Sequence, residues 1–290
     1  MQVHLLDGTY ELFRQHFGAP AEAREQAGTR AATRGVLNSV LSLVEGGATH
    51  IGVATDHAVE SFRNDMWPGY KTSAGMPPEL LEQFPIVEDA LRAMGVMVWA
   101  MVELEADDAL ASAAAIAAAD PAVERVLILT PDKDLAQCVR DGKVVQFDRR
   151  NDKIIDVAGV VEKFGVRPES IPDYLALVGD SADGFPGLAG WGAKSAGAVL
   201  ARYHHLEDIP LDGQWDLKVR SAPRLAATLA EEMELARLFR DLATLRVDSG
   251  LLGAVTDLRW RGPTPGFAVV AKELGAPELA DRAHRANLRQ

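Results

Sequence analysis

The 290 residues predict an α/β chain: a mostly parallel central sheet with helices on both faces, followed by a helical region. Three observations carry this prediction. Short apolar runs alternate with helical patterns through the first half of the chain, as in sheets built from strand–helix–strand units. Several of the runs end in an acid, at the strand edge where open parallel sheets bind ligands. Beyond about residue 160 helical spacing dominates, broken by a glycine-rich loop at 184–192.

Residues 3–6 form a short, mainly apolar run that leads into Asp7-Gly8, which predicts a buried strand and a tight turn. Val36, Leu37, Val40, Leu41 and Val44 share one side of a helix over 33–44. A second strand over 50–54 runs into Thr55-Asp56. Residues 63–78, rich in Gly and Pro, read as an irregular loop; 85–94 reads as a helix and 95–100 as a third strand. Alanine makes helix nearly obligatory over 108–119, and Pro121 stops it. A fourth strand over 125–129 ends at Thr130-Pro131-Asp132, and 144–147 with 153–155 reads as a hairpin. Later come a charged helix over 224–242, a strand-like piece near 251–255 and a last helix over 267–286. The predicted division is an α/β core over 1–165 and a helical region over 166–290, packed as one compact unit.

Composition is globular, at 48% hydrophobic and 25% charged, which excludes a disordered or fibrous chain. There is no run of eighteen uncharged apolar residues and no basic, apolar leader, so neither a membrane span nor a signal peptide is expected, and a cytoplasmic monomer is. The single cysteine, Cys138, rules out an internal disulfide and a cysteine-rich zinc site. The net charge of −12 argues at first against nucleic acid. Yet residues 191–290 hold 14 basic and 13 acidic residues, against 16 and 29 in residues 1–190. The acidic excess is thus confined to the part where carboxylates could surround metal ions.

Those acids are the informative feature. Asp7, Asp56 and Asp132 each follow a predicted strand. Glu105, Asp107 and Asp108 open the alanine helix, Asp132 and Asp134 flank Lys133, and Asp180 and Asp183 lie in Gly-Asp-Ser-Ala-Asp-Gly. Each piece alone has a plain structural reading, as a helix cap, a turn or a solvated charge run. Together at one sheet edge they would repel one another, and divalent cations with a taste for oxygen, Mg²⁺ or Mn²⁺, would relieve that. No Ser-His-Asp or Cys-His order and no metal-type histidine spacing is present. Many carboxylates without a nucleophile point to metal-assisted phosphodiester hydrolysis. A phosphatase would want an Asp two residues after Asp7, where Thr9 stands.

The motifs LLDGTYELFR around Asp7, SFRNDMWPGYK (61–71), EADDALAS (105–112), ILTPDKDLAQCV (128–139), LVGDSADGFPGLAGWGAKSA (177–196) and LATLRVD (242–248) resemble the 5′ nucleases, namely the 5′–3′ exonuclease domain of bacterial DNA polymerase I and the flap endonucleases. The resemblance runs from the N-terminus to about residue 247 and, with no sign of a polymerase, implies a free-standing enzyme. It implies a divalent-metal-dependent 5′–3′ exonuclease and flap endonuclease of replication and repair, acting on DNA with 5′ flaps, nicks or 5′ ends and on RNA primers in RNA–DNA hybrids. The alternative is a structure-specific DNA-binding protein that has lost cleavage. Two or three ions are implied: Asp7, Asp56, Glu105 and Asp107 for the first, Asp107, Asp132, Asp134 and Asp180 for the second, with Asp108 and Asp183 near by or holding a third. Arg63 and Lys71 match residues that meet the scissile phosphate, Lys71 as the electrostatic stabiliser. Residues 171–203 match the helix–three-turn–helix motif that binds duplex DNA. In it Gly187, Gly190 and Gly192 would let a backbone approach, Lys194 and Ser195 open a helix that takes a phosphate, and loop carbonyls would hold a potassium ion. Trp67, Tyr70 and Tyr10 either stack on unpaired bases or pack the loop. Two departures stand out. Residues 72–78 have two prolines and no charge, which predicts no long arch helix and no strict need for a free 5′ end. Gly184 replaces the family's Asn, which predicts a looser hairpin.

Overall fold

Apolar runs become parallel strands wherever their neighbours bury both faces. The computed structural model describes residues 1–18, 30–248 and 250–289. These form two units: Met1–Val59 with Ser73–Thr130 and Val247–Gln290, and Glu60–Thr72 with Pro131–Arg246.

In the first unit, strands β1 (Gln2–Asp7), β2 (His50–Asp56), β3 (Met97–Met101) and β4 (Arg125–Leu129) pair in parallel, in the order β3-β2-β1-β4. Leu5 lies opposite Gly52 on one side and Ile128 on the other. Every residue of β2 is buried, as expected of a central parallel strand. Helix Ala31–Glu45 sets Val36, Leu37, Val40 and Leu41 into the core, and helix Ala106–Ala119 packs on β1, β2, β3 and β4 with alanines small enough for close approach. Helices Phe267–Glu273 and Glu278–Asn287 return to this unit, held by Arg34 Nη1 donating to Leu274 O (2.8 Å) and by an Arg282–Glu45 ion pair (2.7 Å).

Some elements differ from expectation for physical reasons. Asp7 does not open a turn: helix Gly8–Gly18 starts directly, because Asp7 Oδ1 accepts the Tyr10 N–H at 2.8 Å as an N-cap. Gly8 is needed there, since a Cβ would lie 2.7–2.8 Å from Thr55, Ala54 and Val53. The last helix is split where Gly275 takes φ +71° and Pro277 follows. No strand forms near 251–255; a 3₁₀ turn over Val255–Leu258 follows, closed by Asp257 Oδ2 accepting the Ala254 N–H.

In the second unit, β5 (Val144–Asp148) and β6 (Lys153–Ile155) form the expected antiparallel hairpin, with Gln146 opposite Ile155. Helices Val157–Phe164, Ile171–Val178, Ala193–Tyr203, Ala222–Glu231 and Met233–Ala243 enclose a core of Leu175, Leu177, Phe185, Val199, Leu200 and Phe239. The charged stretch over 224–242 is two helices broken at Glu232, so that both Leu229 and Phe239 reach that core. The loop expected over 63–78 begins with a short helix, Phe62–Met66, capped by Ser61 and Asn64.

Candidate functional site

The acids occupy the positions that end strands and start helices. In the first unit, Asp7 and Asp56 close β1 and β2. Asp7 Oδ2 accepts from Thr130 Oγ1 at 3.0 Å, just beyond β4. Asp56 Oδ1 accepts the Ala106 N–H at 2.7 Å, tying β2 to the start of the alanine helix, and the Asp56 N–H donates to Thr9 Oγ1 at 2.8 Å. Glu105 precedes that helix and is buried; its N–H donates to Asp108 Oδ2 at 3.0 Å. Asp108 is fully buried as a helix cap, whereas Asp107, one residue earlier, is only half-buried. Asp7, Asp56, Glu105 and Asp107 therefore share the carboxyl edge of one parallel sheet.

Among the described residues, the tightest acid cluster lies in the second unit. Asp134, Asp180 and Asp183 are all buried, and each offers an oxygen within 4.8 Å of the others. Asp134 opens the 3₁₀ turn Asp134–Cys138, and its N–H donates to Asp132 Oδ1 at 3.0 Å. Asp132 is fixed in turn by Gln146, whose Nε2 donates to its carbonyl. Asp180 follows Gly179 at the end of helix Ile171–Val178, and its Oδ1 accepts the Ala182 N–H at 2.9 Å. Asp134 Oδ1 is buried and has no hydrogen-bond partner. Burial, then the charges of Asp132, Asp183 and Asp180, push the Asp134 carboxyl well above the usual range. An unpartnered carboxylate oxygen among three other acids fits a cation, and hard oxygen donors suit Mg²⁺ or Mn²⁺.

Two lysines are set against this cluster. Lys71 Nζ lies 3.0 Å from Asp183 Oδ1, and Lys133 Nζ lies 2.8 Å from Asp180 Oδ2. Burial lowers the Lys133 pKa, but its hydrogen bond to Asp180 and the charges of Asp180, Asp134 and Asp132 outweigh that and raise it. Lys133 was visible between Asp132 and Asp134, but nothing in the sequence said it would reach Asp180.

Arg63 does not share this setting. It is 1% exposed, with Nε donating to Leu242 O at 2.8 Å and Nη2 to Thr244 O at 3.2 Å. Its guanidinium holds the C-terminal carbonyls of helix Met233–Ala243. Tyr70 is buried in the core and Trp67 packs edge-on against Phe239, so both pack the loop instead of offering faces to bases. Tyr10 is half-buried in the first turn of its helix.

The hairpin comprises helix Ile171–Val178, the loop and helix Ala193–Tyr203. Gly187 has φ +69°, and a Cβ there would collide with the Gly179 N, so its close approach is to the hairpin's own backbone. A Cβ on Gly192 would meet nothing, and one on Gly190 would touch only Leu225 at 3.7 Å; both glycines line, with Lys194 and Ser195, a cavity of about 630 Å³. Ser195 Oγ accepts the Gly192 N–H at 3.0 Å and caps the helix. Gly184 takes φ +84° and packs on Gly69, and its carbonyl accepts from Trp67 Nε1 at 3.1 Å.

Among the described residues, no helix is long and apolar enough to cross a membrane. Comparison with known proteins agrees with the geometry. The family model described as the 5′–3′ exonuclease N-terminal resolvase-like domain matches residues 2–165, and that of the 5′–3′ exonuclease C-terminal SAM fold matches residues 166–265. The 5′–3′ exonuclease of Aquifex aeolicus is 31% identical over 243 residues, covering 83% of this chain and 82% of that protein. DNA polymerase I of Rhizobium leguminosarum is 34% identical over 254 residues, 84% of this chain; the chain spans about a quarter (24%) of that polymerase's length. In fold, the chain is similar to T5 5′-exonuclease solved with divalent zinc ions, with a TM-score of 0.67, 19% identity, and 100% and 99% of the two chains covered. With both domain models matched in sequence and a full-length exonuclease among its relatives, the chain belongs to the 5′–3′ exonuclease family of nucleases.

Proposed function

We propose that the chain is a divalent-metal-dependent 5′–3′ exonuclease and flap endonuclease that hydrolyses DNA phosphodiesters at 5′ flaps, nicks and 5′ ends, and RNA primers paired to DNA. The observation that carries this is the convergence of Asp134, Asp180 and Asp183 around an unpartnered Asp134 oxygen, in a member of this family. Asp7, Asp56, Glu105 and Asp107 would hold one ion; Asp132, Asp134 and Asp180 a second, with Asp183 beside it. Bound Mg²⁺ or Mn²⁺ would supply an activated water and charge for the leaving oxygen.

The chain's own residues do the rest. Burial and the neighbouring acids disfavour the charged form of the Asp134 carboxyl, and a bound cation would offset that. Lys133 and Lys71 neutralise Asp180 and Asp183 and limit the repulsion in the cluster. Lys71, a point charge on a loop fastened to the Asp183 backbone by its own N–H (2.9 Å), stabilises the charge that develops on the phosphate. Arg63, just before that loop, is tied to the end of helix Met233–Ala243 through Leu242 O and Thr244 O. The first-turn N–H groups of helix Ala193–Tyr203, with Lys194, take a backbone phosphate of the duplex, and carbonyls of the 184–192 loop would hold a potassium ion. Residues 72–77 form no helix, which supports cutting without threading a free 5′ end.

The test is cleavage of a 5′-labelled double-flap duplex with Mg²⁺, with Mn²⁺ and with chelator, beside a flap blocked at its end. Metal-dependent cutting near the junction, of both flaps, is expected, and Asp180→Asn is expected to abolish it. Unchanged turnover in Asp180→Asn defeats the assignment; junction binding without cutting would make the chain a DNA-binding protein.

A further inference from the structure

The cavity beside the hairpin has a second wall. One side is the loop and first turn of helix Ala193–Tyr203, with Gly192, Lys194 and Ser195. The other is the segment before helix Ala222–Glu231 and that helix's first turn, with Lys218, Arg220 and Arg224. No Asp or Glu lines the hollow. Among the described residues, none of these four cations donates a side-chain hydrogen bond or forms an ion pair. Elsewhere in this unit Arg202 pairs with Asp216 (2.7 Å), Arg240 with Glu207 (2.7 Å) and Arg167 with Glu169 (2.7 Å).

The second wall is also fastened in place. Asp216 accepts from Arg202 Nε at 2.8 Å and from Tyr203 Oη at 3.0 Å, joining the segment to the hairpin's second helix. Trp215 lies 6.0 Å from Trp191 of the loop, centre to centre, and its Nε1 donates to Pro210 O at 2.8 Å. These contacts engage Asp216, and Lys218 and Arg220, on the same segment, line the hollow.

We propose that Lys218, Arg220 and Arg224 form a second basic wall that holds the backbone of duplex DNA against Lys194, so that the hollow clamps a run of phosphates and not a single one. In a chain of net charge −12, four cations around one hollow with no acid make a local positive field suited to a polyanion. At about 630 Å³ the space is far larger than one phosphate group. That the polyanion is DNA rests on the nuclease reading; the charge arrangement stands without it.

The experiment is binding of a fluorescein-labelled nicked duplex to the full chain with chelator present, titrated over a series of KCl concentrations. Each phosphate neutralised contributes about 0.9 to the slope of log K against log salt. The triple variant Lys218→Ala, Arg220→Ala, Arg224→Ala is expected to bind about tenfold or more weakly and to lose two to three such increments. Lys272→Ala, an exposed lysine of the first unit, keeps the wild-type slope. If the triple variant fails to fold, Lys218→Gln and Arg220→Gln singly are each expected to lose about one increment. A folded variant with wild-type affinity and slope overturns the second wall, even if the chain cleaves flaps. A wild-type chain that cleaves nothing, yet shows the slope change, overturns the nuclease reading and leaves the wall standing.

Discussion

Gly69 and Gly184 meet backbone to backbone: a Cβ built on Gly184 would collide with the Gly69 carbonyl oxygen, and one built on Gly69 would lie 3.1 Å from the Gly184 carbonyl oxygen. Gly184 also has φ +84°, a region closed to most side chains. This contact sets the Lys71 loop on the Asp183 turn, with Lys71 N–H on Asp183 O at 2.9 Å and Lys71 Nζ on Asp183 Oδ1 at 3.0 Å. Gly184→Ala should therefore cost stability, by at least about 1–2 kcal/mol from the left-handed backbone alone. It should also lower the cleavage rate by moving Lys71. Urea unfolding and single-turnover kinetics check the two effects; a variant as stable and as fast as wild type would show that the clasp does not position Lys71.

The acid cluster opposes itself when no cation is bound. Asp134→Asn should raise the unfolding midpoint in chelator, because it takes out a carboxyl whose charged form is disfavoured by burial and by Asp132, Asp183 and Asp180. The same variant should lose most of the stabilisation that metal gives wild type, about 2.7 kcal/mol at a metal concentration 100 times Kd. Thermal unfolding with and without Mn²⁺ measures both, and a variant stabilised by Mn²⁺ as much as wild type would remove Asp134 from the ligand set.

Arg63 is expected to act through stability. Arg63→Ala leaves the carbonyls of Leu242 and Thr244 without their buried donor and opens space beside Phe62. The loss should be about 1.5–3 kcal/mol, the range for a hydrogen bond to a charged group. Arg63→Lys should recover part of it. A stable Arg63→Ala protein with a large loss of rate would instead place the guanidinium on the phosphate.

Acid should loosen the tie between the 3₁₀ turn Leu206–Asp208, just after the hairpin, and helix Met233–Ala243. Hydrogen bonds from Arg240 hold the Glu207 carboxyl at about 2, below its usual 4.5. A depressed carboxylate gives stability that is complete above the unfolded value of 4.5 and is lost as pH falls towards 2. Glu207 is 42% exposed, so screening keeps the contribution below about 1 kcal/mol. Glu207→Gln should flatten this part of the stability–pH curve, and salt should do the same to wild type.

The sheet and the helix beside it were legible from local pattern. Strand Arg125–Leu129 has the ends its apolar run predicts, and the alanine helix starts only two residues before its predicted first residue, because Asp56 accepts the Ala106 N–H. The hairpin of β5 and β6 was equally plain. Helix Gly8–Gly18 was missed because Asp-Gly signals a turn as readily as a cap, and the choice between them depends on β2 lying against Gly8.

By itself, then, the sequence determined which segments become strands, which acids end them, and the family whose motifs recur in order, since periodicity and residue type act over a few positions. Tertiary structure alone decided that Lys133 meets Asp180, that Arg63 serves the backbone at Leu242, that Gly69 meets Gly184, and that Lys218 and Arg220 face Lys194. Each of those pairs is separated by more than twenty residues of chain, and nothing in local propensity records a contact that exists only once a core has formed.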